Sequence, residues 1–79
     1  MHTKIKVYGA DWCSDCIKIK NFLNSKNLFF EDIGITKDDN AQMFVEQVNN
    51  GKRIIPTVLV NGETHINPSV SQLIKLIIE

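Results

Sequence analysis

The two cysteines of this chain lie in a single Cys13-Ser14-Asp15-Cys16 motif, between an apolar run typical of a strand and a pattern typical of a helix. A helix beginning at the first cysteine places that thiol over unpaired backbone N–H groups, where the helix dipole favours the thiolate. The second cysteine then lies about one turn away, within reach for a disulfide. In a β-α-β context the motif predicts redox chemistry, and the alternative is half of a metal site.

Length and charge restrict the class of protein. The 79 residues allow one domain, residues 1–79, because so short a chain cannot divide its apolar residues between two cores. Nine basic and nine acidic residues give a net charge of zero, so no general field attracts nucleic acid or anionic lipid. No segment has the character of a signal peptide or a membrane span. We therefore expect a cytoplasmic monomer without nucleic-acid or membrane partners, in which a permanent structural disulfide is unfavourable.

The first half of the chain predicts a β-α-β unit. Alternating apolar residues predict a strand that ends at Gly9. Helical spacing then predicts a helix that opens at the motif, with an apolar face formed by Cys16, Ile19, Phe22 and Leu23. Residues 28–35 are rich in aromatic and β-branched side chains and predict a second strand, parallel to the first.

A second helix and a hairpin are predicted next. Thr36 with Asp39 indicates a capping box, and the helix is expected to run to Asn50 and to stop at Gly51. Residues 57–60 and 63–66 flank an Asn-Gly pair, which is the strongest short signal for a hairpin with a type I′ turn.

The last predicted element is a helix that starts at Asn67-Pro68. Its apolar stripe consists of Val70, Leu73, Ile74, Ile77 and Ile78. The predicted order of elements is therefore β-α-β-α-β-β-α.

A second informative segment, Ile55-Pro56-Thr57, precedes the hairpin. By itself a proline at the entrance of a strand is compatible with an ordinary edge strand. Together with the short first strand and the Cys-x-x-Cys helix, however, the segment resembles the glutaredoxin family. The resemblance covers essentially the whole chain and is closest to mycoredoxin-like members, which share Trp12-Cys13, Gly51, Arg53 and Asn67-Pro68-Ser69.

The resemblance implies an α/β protein with the thioredoxin fold in its minimal glutaredoxin form, built on a four-stranded mixed sheet. It implies a dithiol thiol-disulfide oxidoreductase that reduces protein disulfides or mixed disulfides with low-molecular-weight thiols. Cys13 is the expected nucleophile and Cys16 the expected resolving thiol. By the same resemblance Pro56 is cis, and the backbone of Ile55 pairs with the substrate.

Five other side chains are candidates at or near this site. Trp12 is expected either to rim the substrate groove or to be partly buried. Arg53, the only arginine, is a candidate for binding a carboxylate of the substrate, or is a charge at the end of a helix. Ser14 and Asp15 replace the usual residues between the cysteines and lie where thiol acidity is set. Lys20 matches a lysine of the family and is expected on a solvated helix face.

The sequence is compatible with more than one reductant and with more than one class of function. Ala10 replaces a family lysine, and Asn67-Pro68-Ser69 replaces the turn that holds glutathione in many members. Glutathione or an analogue, or thioredoxin reductase acting on a ribonucleotide-reductase-type redoxin, are the expected alternatives. A metal or iron–sulfur module held by Cys13 and Cys16 is a rival, as is a redox sensor. We expect no bound cofactor and no metal site.

Overall fold

The computed structural model describes residues 4–78. Strands and helices follow one another in the predicted order: β1 (Ile5–Gly9), α1 (Ser14–Ser25), β2 (Glu31–Gly34), α2 (Asp39–Val48), β3 (Thr57–Val60), β4 (Glu63–Ile66) and α3 (Val70–Leu73). A π-helical turn, Ile74–Ile78, continues from α3. None of the helices within residues 4–78 is long and apolar enough to cross a membrane.

The strands form one mixed sheet in the order β2-β1-β3-β4. β1 runs parallel to β2 and antiparallel to β3, and β3 is antiparallel to β4. Asn61 and Gly62 between β3 and β4 have φ angles of 53° and 85°, as a type I′ turn requires. The predicted α/β fold with a four-stranded mixed sheet is confirmed.

Each face of the sheet carries an apolar layer. The layer against α1 and α3 consists of Ile5, Val7, Ile19, Leu23, Val58, Val60 and Leu73. The layer under α2 consists of Tyr8, Ile35, Ala41 and Val45. Alternate residues of a strand point to opposite faces, so β1 contributes to both layers. Burial on both sides holds the carboxyl end of β1 in place, and the cysteine motif follows directly from that end.

The second strand is shorter than the predicted residues 28–35. Only Glu31–Gly34 pairs with β1. Leu28 and Phe30 pack, half-buried, against the layer under α1 and α3, while Phe29 between them is 87% exposed. The apolar run therefore reflects an extended segment that packs without pairing, which a sequence pattern does not distinguish from a strand.

The predicted capping box of α2 at Thr36 and Asp39 is wrong. Asp38 is the N-cap, and its carboxylate accepts hydrogen bonds from the backbone N–H groups of Asn40 (3.0 Å) and Ala41 (3.2 Å). A short carboxylate at this position satisfies two helix donors and also complements the helix dipole.

α2 also ends earlier than the predicted Asn50. The last helical residue is Val48, and Asn49 is the C-cap. Gly51, with φ 87°, donates its N–H to the Glu46 carbonyl at 2.6 Å. Gly51 therefore closes the helix end as predicted, but Asn50, with φ 56°, lies in the closing turn rather than in the helix.

The last helix begins later than the predicted Asn67-Pro68. Ser69 is the N-cap and forms a capping box with Gln72. The continuation as a π-helical turn changes the angular spacing of the side chains, because each π-turn holds more residues than an α-turn. Ile78 is consequently 52% exposed and leaves the predicted apolar stripe.

Candidate functional site

Cys13 lies at the junction of β1 and α1 and is the N-cap of α1. Its backbone N–H donates to the carbonyl of the buried Ala10 at 3.2 Å, and its Sγ accepts from the N–H of Cys16 at 3.2 Å. The thiol therefore faces a free backbone donor of the first helical turn, as the sequence predicts. Cys13 retains 9% exposure, whereas Cys16 retains none.

The thiol of Cys16 is held in its protonated form. Its pKa is raised to about 12, first by burial, then by the hydrogen bond to Cys13 and by the charge of Cys13. The backbone of Ala10 and the ammonium group of Lys20 act in the opposite direction. At neutral pH Cys16 is thus a neutral thiol beside a more accessible one, and the two cysteines are chemically unequal.

Gly9, the last residue of β1, makes room for Cys16. A Cβ added at Gly9 would lie 2.7 Å from the Sγ and 3.0 Å from the Cβ of Cys16. Real Cβ atoms essentially never approach heavy atoms at the shorter distance. The sequence pattern predicts only a strand end at Gly9 and does not indicate this contact, because it joins residues of different elements.

Lys20 does not lie on a solvated helix face, and that expectation is wrong. Its side chain is only 16% exposed, and its Nζ lies 3.3 Å from a carboxylate oxygen of Asp32 on β2. Lys20 is one helical turn beyond Cys16, and its charge lowers the pKa of that thiol. The ion pair therefore keeps a cation on the inner side of α1, close to the dithiol.

The loop before β3 forms the other wall of the site. The Ile55–Pro56 peptide bond is cis, as the family resemblance implies. Ile55 packs against the small cluster formed by Ala10, Cys13 and Cys16. Pro56 is fully buried, and its carbonyl accepts a hydrogen bond from the N–H of Asn67 at 2.7 Å. The loop is thereby anchored to the end of β4 and touches the dithiol.

The peptide edge of Ile55 is unpaired. Its N–H and C=O make no hydrogen bond with any residue from 4 to 78. Pairing between β1 and β3 begins only at Tyr8 and Thr57. An unpaired peptide edge next to a sheet is suited to pairing with an extended segment of another chain.

Trp12, Ser14 and Asp15 are all exposed around Cys13. The indole of Trp12 is 74% exposed, so the expectation of partial burial is wrong and a place on the rim of the site remains. Asp15 lies in the first turn of α1, where a carboxylate complements the helix dipole. Neither Ser14 nor Asp15 makes a side-chain hydrogen bond within the described part of the chain.

Asp15→Asn is expected to raise the rate of Cys13 alkylation at pH 7, since it removes a carboxylate whose charge opposes the thiolate. The measurement is the rate of iodoacetamide alkylation at that pH, followed by mass spectrometry. Ser14→Ala, which changes a neighbouring side chain without changing charge, serves as the control. An unchanged or lower rate in Asp15→Asn would contradict the prediction.

Arg53 is joined to α2. Its Nε donates to a carboxylate oxygen of Glu46 at 3.0 Å, and its side chain remains 58% exposed. This contact gives the arginine a structural partner at the end of α2. The exposed remainder of the guanidinium is still available to a second carboxylate. Arg53 therefore lies in the loop before β3, paired to α2, and its contact with a substrate carboxylate stays a prediction.

No group of three or more His, Cys, Asp or Glu side chains that could hold a metal ion occurs within residues 4–78. Cys13 and Cys16 are free thiols, and they are the two cysteine ligands that this part of the chain offers. A structural zinc site needs about four ligands, so a metal held by Cys13 and Cys16 requires ligands from elsewhere.

Comparison with known proteins agrees with this geometry. The glutaredoxin family model matches residues 5–66, which include the cysteine motif, the cis-proline loop and the hairpin. Mycoredoxin 1 of Corynebacterium glutamicum is 32% identical over 73 residues, which cover 91% of this chain and 90% of that protein.

Solved structures give the same result. The thioredoxin-like protein BC3987 has a TM-score of 0.81 and 27% identity, covering 92% of this chain and 99% of its own. A glutaredoxin from Archaeoglobus fulgidus has a TM-score of 0.74 and 25% identity, covering 92% of this chain and 84% of its own. Both structures share the fold over 92% of this chain, as the resemblance seen in the sequence implies.

Proposed function

The chain belongs to the glutaredoxin family, and from that premise we propose that it is a dithiol thiol-disulfide oxidoreductase acting through Cys13 and Cys16. The observation that carries the proposal is the inequality of the two thiols. Cys13 is the partly accessible N-cap whose sulfur accepts a backbone N–H, whereas Cys16 is buried with a pKa raised to about 12. The accessible thiol of Cys13 is therefore arranged to attack the substrate first, and the buried thiol of Cys16 to react in the second step.

In the first step the Cys13 thiolate attacks one sulfur of a substrate disulfide. A bond forms between Cys13 Sγ and that sulfur, the substrate S–S bond breaks, and the other sulfur leaves as a thiolate that takes a proton from solvent. The N–H of Cys16, 3.2 Å from Cys13 Sγ, stabilises negative charge on the attacking sulfur. The product of this step is a mixed disulfide on Cys13.

In the second step Cys16 resolves the mixed disulfide. Once Cys13 is bonded to the substrate, its sulfur no longer carries charge and no longer accepts strongly from the Cys16 thiol, so two of the causes that raise the pKa of Cys16 are lost. Lys20 continues to favour the Cys16 thiolate. Cys16 then attacks Cys13 Sγ and releases the reduced substrate thiolate, leaving a Cys13–Cys16 disulfide after a net transfer of two electrons.

Substrate is proposed to lie between Trp12 and the loop that contains Ile55 and Pro56. Ile55 touches the dithiol cluster, and its peptide edge is unpaired, so an extended peptide can add to it as a short strand. Trp12, exposed next to Cys13, supplies an apolar and aromatic contact at the other side. This arrangement supports a disulfide or thiolated cysteine within a protein as the substrate.

The proposed reductant is a low-molecular-weight thiol, two equivalents of which reduce the Cys13–Cys16 disulfide. The relative named mycoredoxin supports a mycothiol-type thiol ahead of glutathione. Reduction by thioredoxin reductase is the alternative for a redoxin that serves ribonucleotide reductase. The absence of the family lysine, at the position of the buried Ala10, supports a thiol bound differently from glutathione.

A coupled NADPH assay tests the function. Purified protein is supplied with a peptide disulfide as oxidant and, in separate reactions, with glutathione and its reductase, with mycothiol and its reductase, or with thioredoxin reductase. Multiple turnover with at least one reducing system is expected. Two results together would favour the alternative, a metal or iron–sulfur binding module, over the oxidoreductase. They are the absence of turnover with every reducing system and the presence of metal or visible absorption in the purified protein.

Arg53→Ala is expected to raise the apparent KM for a mixed disulfide that carries a carboxylate by about threefold to tenfold, because it removes the exposed guanidinium donors. Glu46→Gln is the matched control, since it removes the competing carboxylate 3.0 Å from Arg53 Nε and leaves the cation in place. We expect Glu46→Gln to keep or lower that KM. Equal increases of KM in Arg53→Ala and Glu46→Gln would contradict a role of Arg53 in binding substrate, and would show that the effect comes from losing the contact between Arg53 and α2.

A further inference from the structure

A buried polar pair joins the end of α2 to the cis-proline loop. Asn49, the C-cap of α2, is 5% exposed, and Thr57, the first residue of β3, is fully buried. Asn49 Nδ2 donates to the Val45 carbonyl at 2.7 Å and, at a longer 3.4 Å, to Thr57 Oγ1. Thr57 Oγ1 in turn donates to the carbonyl of Ile54 at 2.7 Å. The chain of bonds ends on the residue that precedes Ile55.

The direction of these bonds is determined by the chemistry of the groups. Val45 and Ile54 offer carbonyl oxygens, which only accept. The amide nitrogen of Asn49 must therefore face Val45, and the hydroxyl proton of Thr57 must face Ile54. The hydroxyl oxygen is then free to accept from Asn49. These directions pair the Asn49 amide nitrogen, the Thr57 hydroxyl and both carbonyls. Asn49 Oδ1 is buried and has no partner within the described residues, which is a cost of this arrangement.

We propose that Asn49 and Thr57 are positioning residues for substrate binding: they hold the Ile54 carbonyl against α2, so that the adjoining peptide edge of Ile55 is presented in a pairing geometry beside Cys13. This inference rests on the proposed function, because it assumes that substrate adds to Ile55. Neither side chain forms a hydrogen bond with a cysteine sulfur within residues 4–78. Asn49 and Thr57 act by keeping the loop ordered before substrate binds. An ordered loop loses less conformational entropy when the peptide pairs with Ile55.

Preorganisation of the loop has a specific kinetic signature. A peptide disulfide pairs with Ile55 and benefits from an ordered loop, whereas hydroxyethyl disulfide has no backbone to pair and meets only the dithiol. Loss of the Thr57 hydroxyl is therefore expected to weaken binding of the peptide and to leave the reaction with the small disulfide unchanged. A residue with only a structural role would affect both substrates through the amount of folded protein.

Thr57→Val removes the hydroxyl and keeps the branched shape, and Thr57→Ser is the matched control that keeps the hydroxyl. We expect Thr57→Val to raise KM for a peptide disulfide by about fivefold, the effect of one lost hydrogen bond, with kcat and the rate on hydroxyethyl disulfide within about twofold of wild type. Thr57→Ser should restore the KM. Asn49→Leu keeps the branched shape of Asn49 and removes the amide donor without burying a charge, and it should raise the same KM. It is the second test variant if Thr57→Val does not fold.

Equal losses on the peptide and on the small disulfide, or an unchanged peptide KM in both Thr57→Val and Asn49→Leu, would overturn the inference. The wild-type protein separates this result from a failure of the proposed function. If wild type reduces both substrates but the variants show no selective change, only the positioning role is rejected. If wild type reduces neither, the proposed function itself is rejected, and with it the role assigned to these residues.

Discussion

Cys13→Ser is expected to abolish disulfide reduction, and Cys16→Ser to stop the reaction halfway. Without Cys13 there is no accessible thiolate, because the remaining thiol of Cys16 is fully buried and burial is the largest cause of its raised pKa. Without Cys16 the first attack still occurs, but nothing within the protein displaces the substrate from Cys13. The Cys16→Ser protein should therefore accumulate as a mixed disulfide with a peptide substrate, detectable as an added mass that dithiothreitol removes.

Selective labelling provides the control for this pair of variants. At neutral pH iodoacetamide should modify Cys13 in the wild-type protein and leave Cys16 unmodified, since alkylation requires a thiolate and access to solvent. Cys16→Ser should be labelled to the same extent as wild type, and Cys13→Ser should not be labelled. Full dithiol turnover in Cys16→Ser, or preferential labelling of Cys16, would contradict the roles assigned to the two thiols.

Gly9→Ala is expected to destabilise the protein by about 1–3 kcal/mol, the usual cost of overpacking a closely packed core. The new methyl group would lie 2.7 Å from Cys16 Sγ, against a side chain that is completely buried and cannot move into solvent. For a domain of this size the loss corresponds to a fall in Tm of about 4–8 °C per kcal/mol. The displaced Cys16 should also resolve mixed disulfides more slowly.

Gly34→Ala is a close control for that substitution. Gly34 is the register partner of Gly9 on β2, and a Cβ added there meets no atom within 4 Å. Both variants add one methyl group to paired residues of the same sheet, so a difference between them reports the contact with Cys16. Thermal unfolding followed by circular dichroism measures the stability. Equal Tm values for the two variants would show that the space at Gly9 is not needed.

Much of the fold follows from local sequence signals. The hairpin at Asn61-Gly62 was predictable because few residue pairs accept two positive φ angles. The start of α1 at the cysteine motif and the termination at Gly51 also depend on residues close together in the chain. Boundaries were less predictable. The N-cap of α2 is Asp38 and not the predicted Thr36. Several neighbouring side chains in this segment are able to cap a helix, and only the folded backbone determines which of them does so.

The candidate site was predictable in part. The cysteine motif and the Ile55-Pro56 segment were found from sequence, and the structure brings them together through the contact of Ile55 with the dithiol cluster. Trp12 is predicted either on the rim of the substrate groove or partly buried; its 74% exposure excludes partial burial, and the contact with substrate stays a prediction. Lys20 was assigned to solvent, because the sequence gives no sign that Asp32, on a different element, reaches it.

The sequence by itself determined the order of the elements, the turn that pairs β3 with β4, and the two segments that carry the chemistry. Those features depend on backbone preferences and side-chain periodicity within a few residues of one another. The tertiary structure alone decided the complete burial that raises the pKa of Cys16, the space at Gly9 for Cys16, and the bonds from Asn49 through Thr57 to the cis-proline loop. Burial and contacts between elements exist only once the sheet and helices have packed, so no local pattern encodes them.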